Sequence, residues 1–255
     1  MSALTVIAHN TFKETVRNRV MFNILLFAVG MVLVIMVISN WTMDQQAKIL
    51  KDFGLAAISI FGLLIALFVG VRTIYQEIEK HTVFMLVSKP ISRWQIIVGK
   101  YLGLAVTILV NIVAITLCLF AVDYFIEHSI DWGLLSGILL ILLEIYLIIA
   151  FAVFFSTFTS PLLSAIFTLI IFVIGHLAPS IRLYTQLRPD DAGNSILLAI
   201  YTILPNLENF NIKTAVVEHI VLPPNTVANA VLYGVCYISI LLVLTSWIFE
   251  KKDLK

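Results

Sequence analysis

Six stretches of this sequence run almost uninterruptedly apolar for 18 residues or more, and that recurrence leaves few folds open: Met21 to Ser39, Gly54 to Ile74, Tyr101 to Val122, Leu134 to Phe155, Leu162 to Pro179 and Val227 to Phe249. A helix rises about 1.5 Å per residue, so roughly 20 apolar residues cover the ~30 Å hydrocarbon core of a bilayer. Each run therefore predicts a membrane-spanning helix. Composition agrees, with 61% hydrophobic and 12% charged residues, against about 45–50% and about 25% in soluble domains. The expected class is all-α: a polytopic membrane protein whose 255 residues form a single transmembrane domain. The first run is too long for the apolar region of a signal peptide and continues into Asn-Trp-Thr-Met without a small-residue cleavage site, so it is expected to stay as an anchor. A net charge of +1 gives no reason to expect nucleic acid. Cys118 and Cys236 fall inside apolar runs, where they read as packing residues.

The basic residues set the expected orientation. With a cytoplasmic amino terminus, eleven lie inside: Lys13, Arg17, Arg19, Arg72, Lys80, Lys89, Arg93, Lys100, Lys251, Lys252 and Lys255. Five lie outside: Lys48, Lys51, Arg182, Arg188 and Lys213. The positive-inside rule then places both termini in the cytoplasm. Residues 1–20 carry Leu4, Ile7, Ala8, Thr11, Phe12, Thr15 and Val16 at helical spacing, with Asn10, Lys13, Glu14 and Arg17 opposite. That pattern predicts an amphipathic helix lying at the membrane interface, or one that also touches a cytoplasmic partner.

The connection 75–100 is unusually polar for this chain, yet holds Val83-Phe84-Met85-Leu86-Val87 at its centre. Five residues cannot span a bilayer. Pro90 biases Lys89 away from helical geometry, so one helix is expected to end near Ser88, and Ser92 can cap the next, which runs through Trp94 into the third span. Between these breaks the five apolar side chains point all around a helix. Burying each is worth roughly 1.5–3 kcal/mol, so a partner protein covering the outward face is the economical expectation.

The stretch EIEKHTVFMLVSKPISRWQIIVGKYLG resembles the segment between spans two and three of ABC-2-type transporter permeases, in particular the branch related to the nitrous-oxide-reductase maturation permease. The matching positions are Glu79, Thr82, Leu86 to Ser88, Lys89, Pro90, Ile91, Ser92, Arg93, Gly99 and Lys100. The similarity extends to Thr11-Phe12-Lys13-Glu14, Arg17, the six-span layout and the ending Phe249-Glu250-Lys251-Lys252-Asp253-Leu254. At His81 relatives often have a small residue. The resemblance implies a half-transporter of a prokaryotic plasma membrane, in which two permease chains pair and each docks a separate ATP-binding subunit. In that family the 75–100 segment forms the coupling helix, which assigns ATPase coupling to Glu79, Thr82, Val83, Phe84, Leu86, Lys89, Pro90 and Arg93. It further implies a non-catalytic chain without a cofactor of its own, ATP and Mg being held by the partner, and export of a substrate that the residues do not identify. An ATP-independent carrier or a membrane scaffold, with the apolar segment packed on its own bundle, is the competing reading.

Other chemistry finds little support. A phosphate loop ending at Gly99-Lys100 needs glycine where Trp94 stands, and Lys100 is followed by Tyr101. His9, His81, His128, His176 and His219 are scattered and no HExxH occurs. In the outer loop 180–226, Asn194 or Ser195 can cap a short helix ended by Pro205, too short to span and therefore re-entrant or interfacial; the resemblance implies that such helices line an outer gate. Glu144 is the single acid within an expected span, near its middle, where a carboxylate is costly. Asn111 lies near the middle of the antiparallel third span. A neutral Glu144 hydrogen-bonded to Asn111 would hold helices three and four together, such bonds averaging about 0.6 kcal/mol. A place in a substrate or proton path is the alternative.

Overall fold

The structure, a computed structural model, describes residues 3–17, 19–39, 46–72, 92–188 and 193–251. Among them there are helices and no strands. α1 is Ala3–Val16 and α2 Arg19–Ser39. α3, Gln46–Ile65, continues through a π-helical turn at Ala66–Gly70. α4 is Arg93–Glu127, α5 Leu134–Ser156 and α6 Pro161–Leu187. A short α7, Asn194–Ile203, precedes a 3-10 turn at Leu207–Phe210 and the single turn α8, Lys213–Val217. α9 is Thr226–Lys251. Among the described residues five helices are long and apolar enough to cross a membrane: Gln46–Gly70, Arg93–Glu127, Leu134–Ser156, Pro161–Leu187 and Thr226–Lys251. α2 contributes the shorter apolar stretch Ile24–Val34 where the first span was expected.

α5 occupies the centre and packs against α3, α4, α6 and α9. Its sequence is apolar on every side, as a helix without a solvent face must be. Leu140, Ile141, Leu147, Ile149, Ala150, Ala152 and Val153 are all fully buried. Among the described side chains of α2, Met21, Ala28 and Val32 are buried, and they share one face of the helix.

Three expectations change. α6 runs through Pro179 and ends at Leu187, not at the proline. A proline removes one hydrogen bond from a helix interior, but within a packed bundle the flanking turns carry the helix past it. Ser92 takes the N-cap backbone conformation of α4, yet its side chain makes no capping hydrogen bond. Asn194 does not cap α7 either: its Nδ2 donates to Thr185 O and Arg188 O, the free carbonyls at the end of α6. Those carbonyls lack helical partners and compete for the amide.

α4 has 35 residues, about 52 Å of helix, so it overshoots the ~30 Å core. α1 covers the overhang. The crossing uses Gly99 and Gly103, four residues apart: a Cβ at Gly103 would lie 2.6 Å from Ala8 O and Thr11 Cβ, and one at Gly99 2.9 Å from Ile7 Cγ2. Small residues at this spacing let two backbones approach. Ile7, Thr11 and Thr15 form the buried stripe of α1, while Val16 is exposed. The buried part of the apolar face is thus narrower than the sequence suggests, and α4 covers it.

Candidate functional site

The expected coupling residues Glu79, Thr82, Val83, Phe84, Leu86, Lys89 and Pro90 lie outside the described residues. Arg93, which follows them, is described. Its Nη1 donates to Phe249 O at 3.2 Å and to Glu250 O at 3.1 Å. These are among the last carbonyls of α9, where the helix dipole favours a cation and the carbonyls need donors. Phe249 is buried beside this bond, and Lys251 places its ammonium 3.8 Å from the centre of the Trp247 ring. The start of α4 is therefore tied to the end of α9 and, through Gly99 and Gly103, to α1. Three stretches far apart in sequence, around Thr11, Arg93 to Lys100 and Phe249 to Glu250, meet at one end of the molecule.

The opposite end carries a second cluster. Lys51 on α3, its side chain 5% exposed, lies 2.9 Å from Glu127 Oε2, 3.1 Å from Asp131 Oδ2 and 3.9 Å from Asp123 Oδ1. At its rim Lys48 pairs with Glu218 at 2.8 Å. The cluster joins α3, α4 and the turn before α5.

Beside it the segment after α7 turns inward as a plug. Leu207 and Phe210 are fully buried. A Cβ at Gly175 of α6 would meet Leu207 Cγ at 2.5 Å and Pro205 O at 3.0 Å, and one at Gly234 of α9 would lie 3.1 Å from the Phe210 ring. Glycine at these two positions makes room for the plug. Tyr233 OH accepts from Asn206 N at 2.8 Å, and Asn206 Oδ1 caps the turn by accepting from Glu208 N at 3.1 Å. Beside the plug a cavity of about 500 Å³ has a mixed lining, polar from Glu208, Asn209, Thr226, Asn229 and Tyr233 and apolar from Ile212 and Ala230. The deeply inserted element is thus the Leu207 turn, whereas α7 remains largely exposed.

Glu144 is 1% exposed on α5, and neither carboxylate oxygen has a hydrogen-bond partner among the described residues. Its neighbour is His176 of α6, with Nε2 3.4 Å from Oε1. His176 Nδ1 lies 3.1 Å from Phe172 O. A carbonyl can only accept, so Nδ1 carries a proton. The expected bond to Asn111 is not present: Asn111 Nδ2 donates to Thr107 O at 2.8 Å and to Met21 Sδ at 3.5 Å. Rotation explains the miss. Leu142 borders the crevice between α4 and α5, and Glu144, two residues on, lies about 200° further around the helix, toward α6. The dismissal of the histidines as scattered therefore overlooked His176. A signal for it was present: Glu144 lies twelve residues before the end of α5 and His176 fifteen after the start of α6, so the hairpin brings them to similar depth.

With this geometry in place, comparison with known families identifies the chain. The family described as ABC-2 family transporter protein matches residues 5–254. The chain belongs to the ABC-2 transporter family. It is a permease membrane component of the kind that works with an ABC ATPase subunit. No curated protein matches it. The end where α1, the start of α4 and the end of α9 converge is the candidate site, because Arg93, the one described residue of the expected coupling set, lies there.

Proposed function

We propose that this permease couples ATP hydrolysis on a separate subunit to export, with the 75–100 segment as the docking helix and Phe84 and Leu86 as its apolar anchors. One observation carries the reading: Arg93, in the last part of that segment where α4 begins, is bonded to the carbonyl end of α9 while α1 grips the next two turns of α4. A push on the segment is thereby delivered to three helices at once. Two permease chains pair in a prokaryotic plasma membrane, each with six spans, α2 being the first, and with both termini cytoplasmic. The chain fits the branch related to the nitrous-oxide-reductase maturation permease by its Lys89-Pro90 and Ser92-Arg93 spacing. ATP and Mg bind to the partner subunit, and this chain contributes no catalytic group. Glu144 and His176 tie α5 to α6 beneath the plug.

The test is co-purification with ATPases encoded beside the gene. Phe84→Asp combined with Leu86→Asp leaves the permease inserted and abolishes ATPase recovery, because two charges would have to be buried without partners. Undiminished recovery of the ATPase would remove the coupling assignment and favour the ATP-independent carrier.

A further inference from the structure

Between α4 and α5 the bundle leaves a crevice of about 500 Å³. Leu109, Val113 and Leu117 form its α4 wall, one above another at four-residue spacing, with Leu135 and Leu139 facing them from α5. Trp132, in the turn joining the two helices, closes one end against Phe120, the ring centres 6.5 Å apart. Thr116 supplies the one hydroxyl in the lining, and its Oγ1 is buried. A water molecule in such a space would lack the two to four polar partners it needs, whereas apolar guests enter such cavities readily.

Size selects the guest. From Leu109 to Phe120 the wall extends about 16 Å, close to half of the ~30 Å hydrocarbon core. α4 and α5 pack on one another, packed helix axes lie about 8–10 Å apart, and a further helix roughly 10 Å wide can lie across the groove but not within it. A single hydrocarbon chain can lie within it. The crevice also runs inward from a helix-end turn that carries an exposed tryptophan, the residue type enriched at the membrane–water interface.

We propose that this crevice is a lipid-binding site holding one acyl chain of a phospholipid from the leaflet on the Trp132 side. The headgroup rests beside Trp132 and the chain lies along Val113 and Leu117. The site is separate from the plug and from the ATPase-facing end, so the inference does not depend on the cargo or on the docking reading.

The full chain is reconstituted in phosphatidylcholine vesicles containing a trace of phospholipid with a photoreactive diazirine midway along one acyl chain, and labelled residues are mapped by mass spectrometry. Leu139 of the crevice and Leu169 of α6 are 45% and 44% exposed, so their difference reports residence, not access. Labelling of the crevice residues is expected to exceed that of Leu169 several-fold. Val113→Trp, and separately Leu139→Trp, fill the space and should lower labelling at Leu117 and Leu135 while leaving Leu169 unchanged. Equal labelling of crevice and α6 in the unaltered protein would overturn the proposal, whatever the variants do. So would absence of label from the crevice together with disulfide cross-linking of a Leu117→Cys chain to a second copy, which would make this face an interface between permeases.

Discussion

Asp123 and Glu144 are both acids with almost no exposure, and the protein treats them in opposite ways. Asp123 stands at a helix end within a group where one ammonium faces three carboxylates, two of them close enough to hydrogen-bond to it. Glu144 stands in the middle of α5 with one imidazole as its partner; among the described residues neither acid has a hydrogen bond to its carboxylate oxygens, so the contrast lies in the countercharge. Charge is collected where helices end, since Glu127 and Lys48 keep contact with the surroundings there and hydration offsets part of the desolvation cost. At the centre of the bundle a lone acid is tolerated only by sharing a proton with a neighbour or staying neutral. The first arrangement fastens three segments; the second leaves an interface that a single proton can change.

The comparison can be broken first at Lys51. Lys51→Met removes the cation and leaves the buried Asp123 facing Glu127 and Asp131 without it, so stability should fall by about 3–5 kcal/mol, read by denaturant unfolding in lipid nanodiscs. A loss below about 1 kcal/mol would mean that the cluster behaves like an exposed pair. An intermediate effect is expected at the notch of the plug. Gly175→Leu should displace Leu207, cost about 1–3 kcal/mol as overpacking does, and admit water toward His176, giving Glu144 surroundings closer to those of Asp123. An impermeant maleimide reacting faster with a cysteine placed at Phe210, buried in the same plug, in this background would record the displacement. An unchanged rate would show that α6 repacks without moving the plug. The smallest change is expected for Glu144→Gln, which keeps shape and hydrogen-bonding capacity but cannot ionise. Stability should shift by about 0.6 kcal/mol or less, with assembly and transport close to normal. Normal assembly with transport lost would place Glu144 in the path of substrate or protons instead of in a structural tie.

Much of the helical layout was readable along the chain because membrane burial demands long apolar runs, and these survive in the sequence whatever their neighbours. The ends were harder to place. Lys51, Asp123 and Glu127 lie in or beside expected spans, and charge usually marks a boundary; the helices continue because the charges neutralise one another across α3 and α4. Gly99 and Gly103 could be read as a close-packing pair, but nothing in their spacing named α1 as the partner. Arg93 was singled out for coupling, whereas its acceptors on α9 lie more than 150 residues away.

By itself the sequence determined that this protein is a helical membrane protein, which stretches are apolar enough to form long helices, and that Glu144 is an acid near the middle of one of them. Those properties depend on length, hydropathy and position along one helix, all of which are local. Only the tertiary structure decided which way each helix is turned: Glu144 toward His176 and not Asn111, Leu207 into the notch at Gly175, Arg93 onto the end of α9. Helix rotation is set by packing among neighbours distant in sequence, and on a helix apolar on every side, such as α5, no hydrophobic stripe marks which face meets which partner.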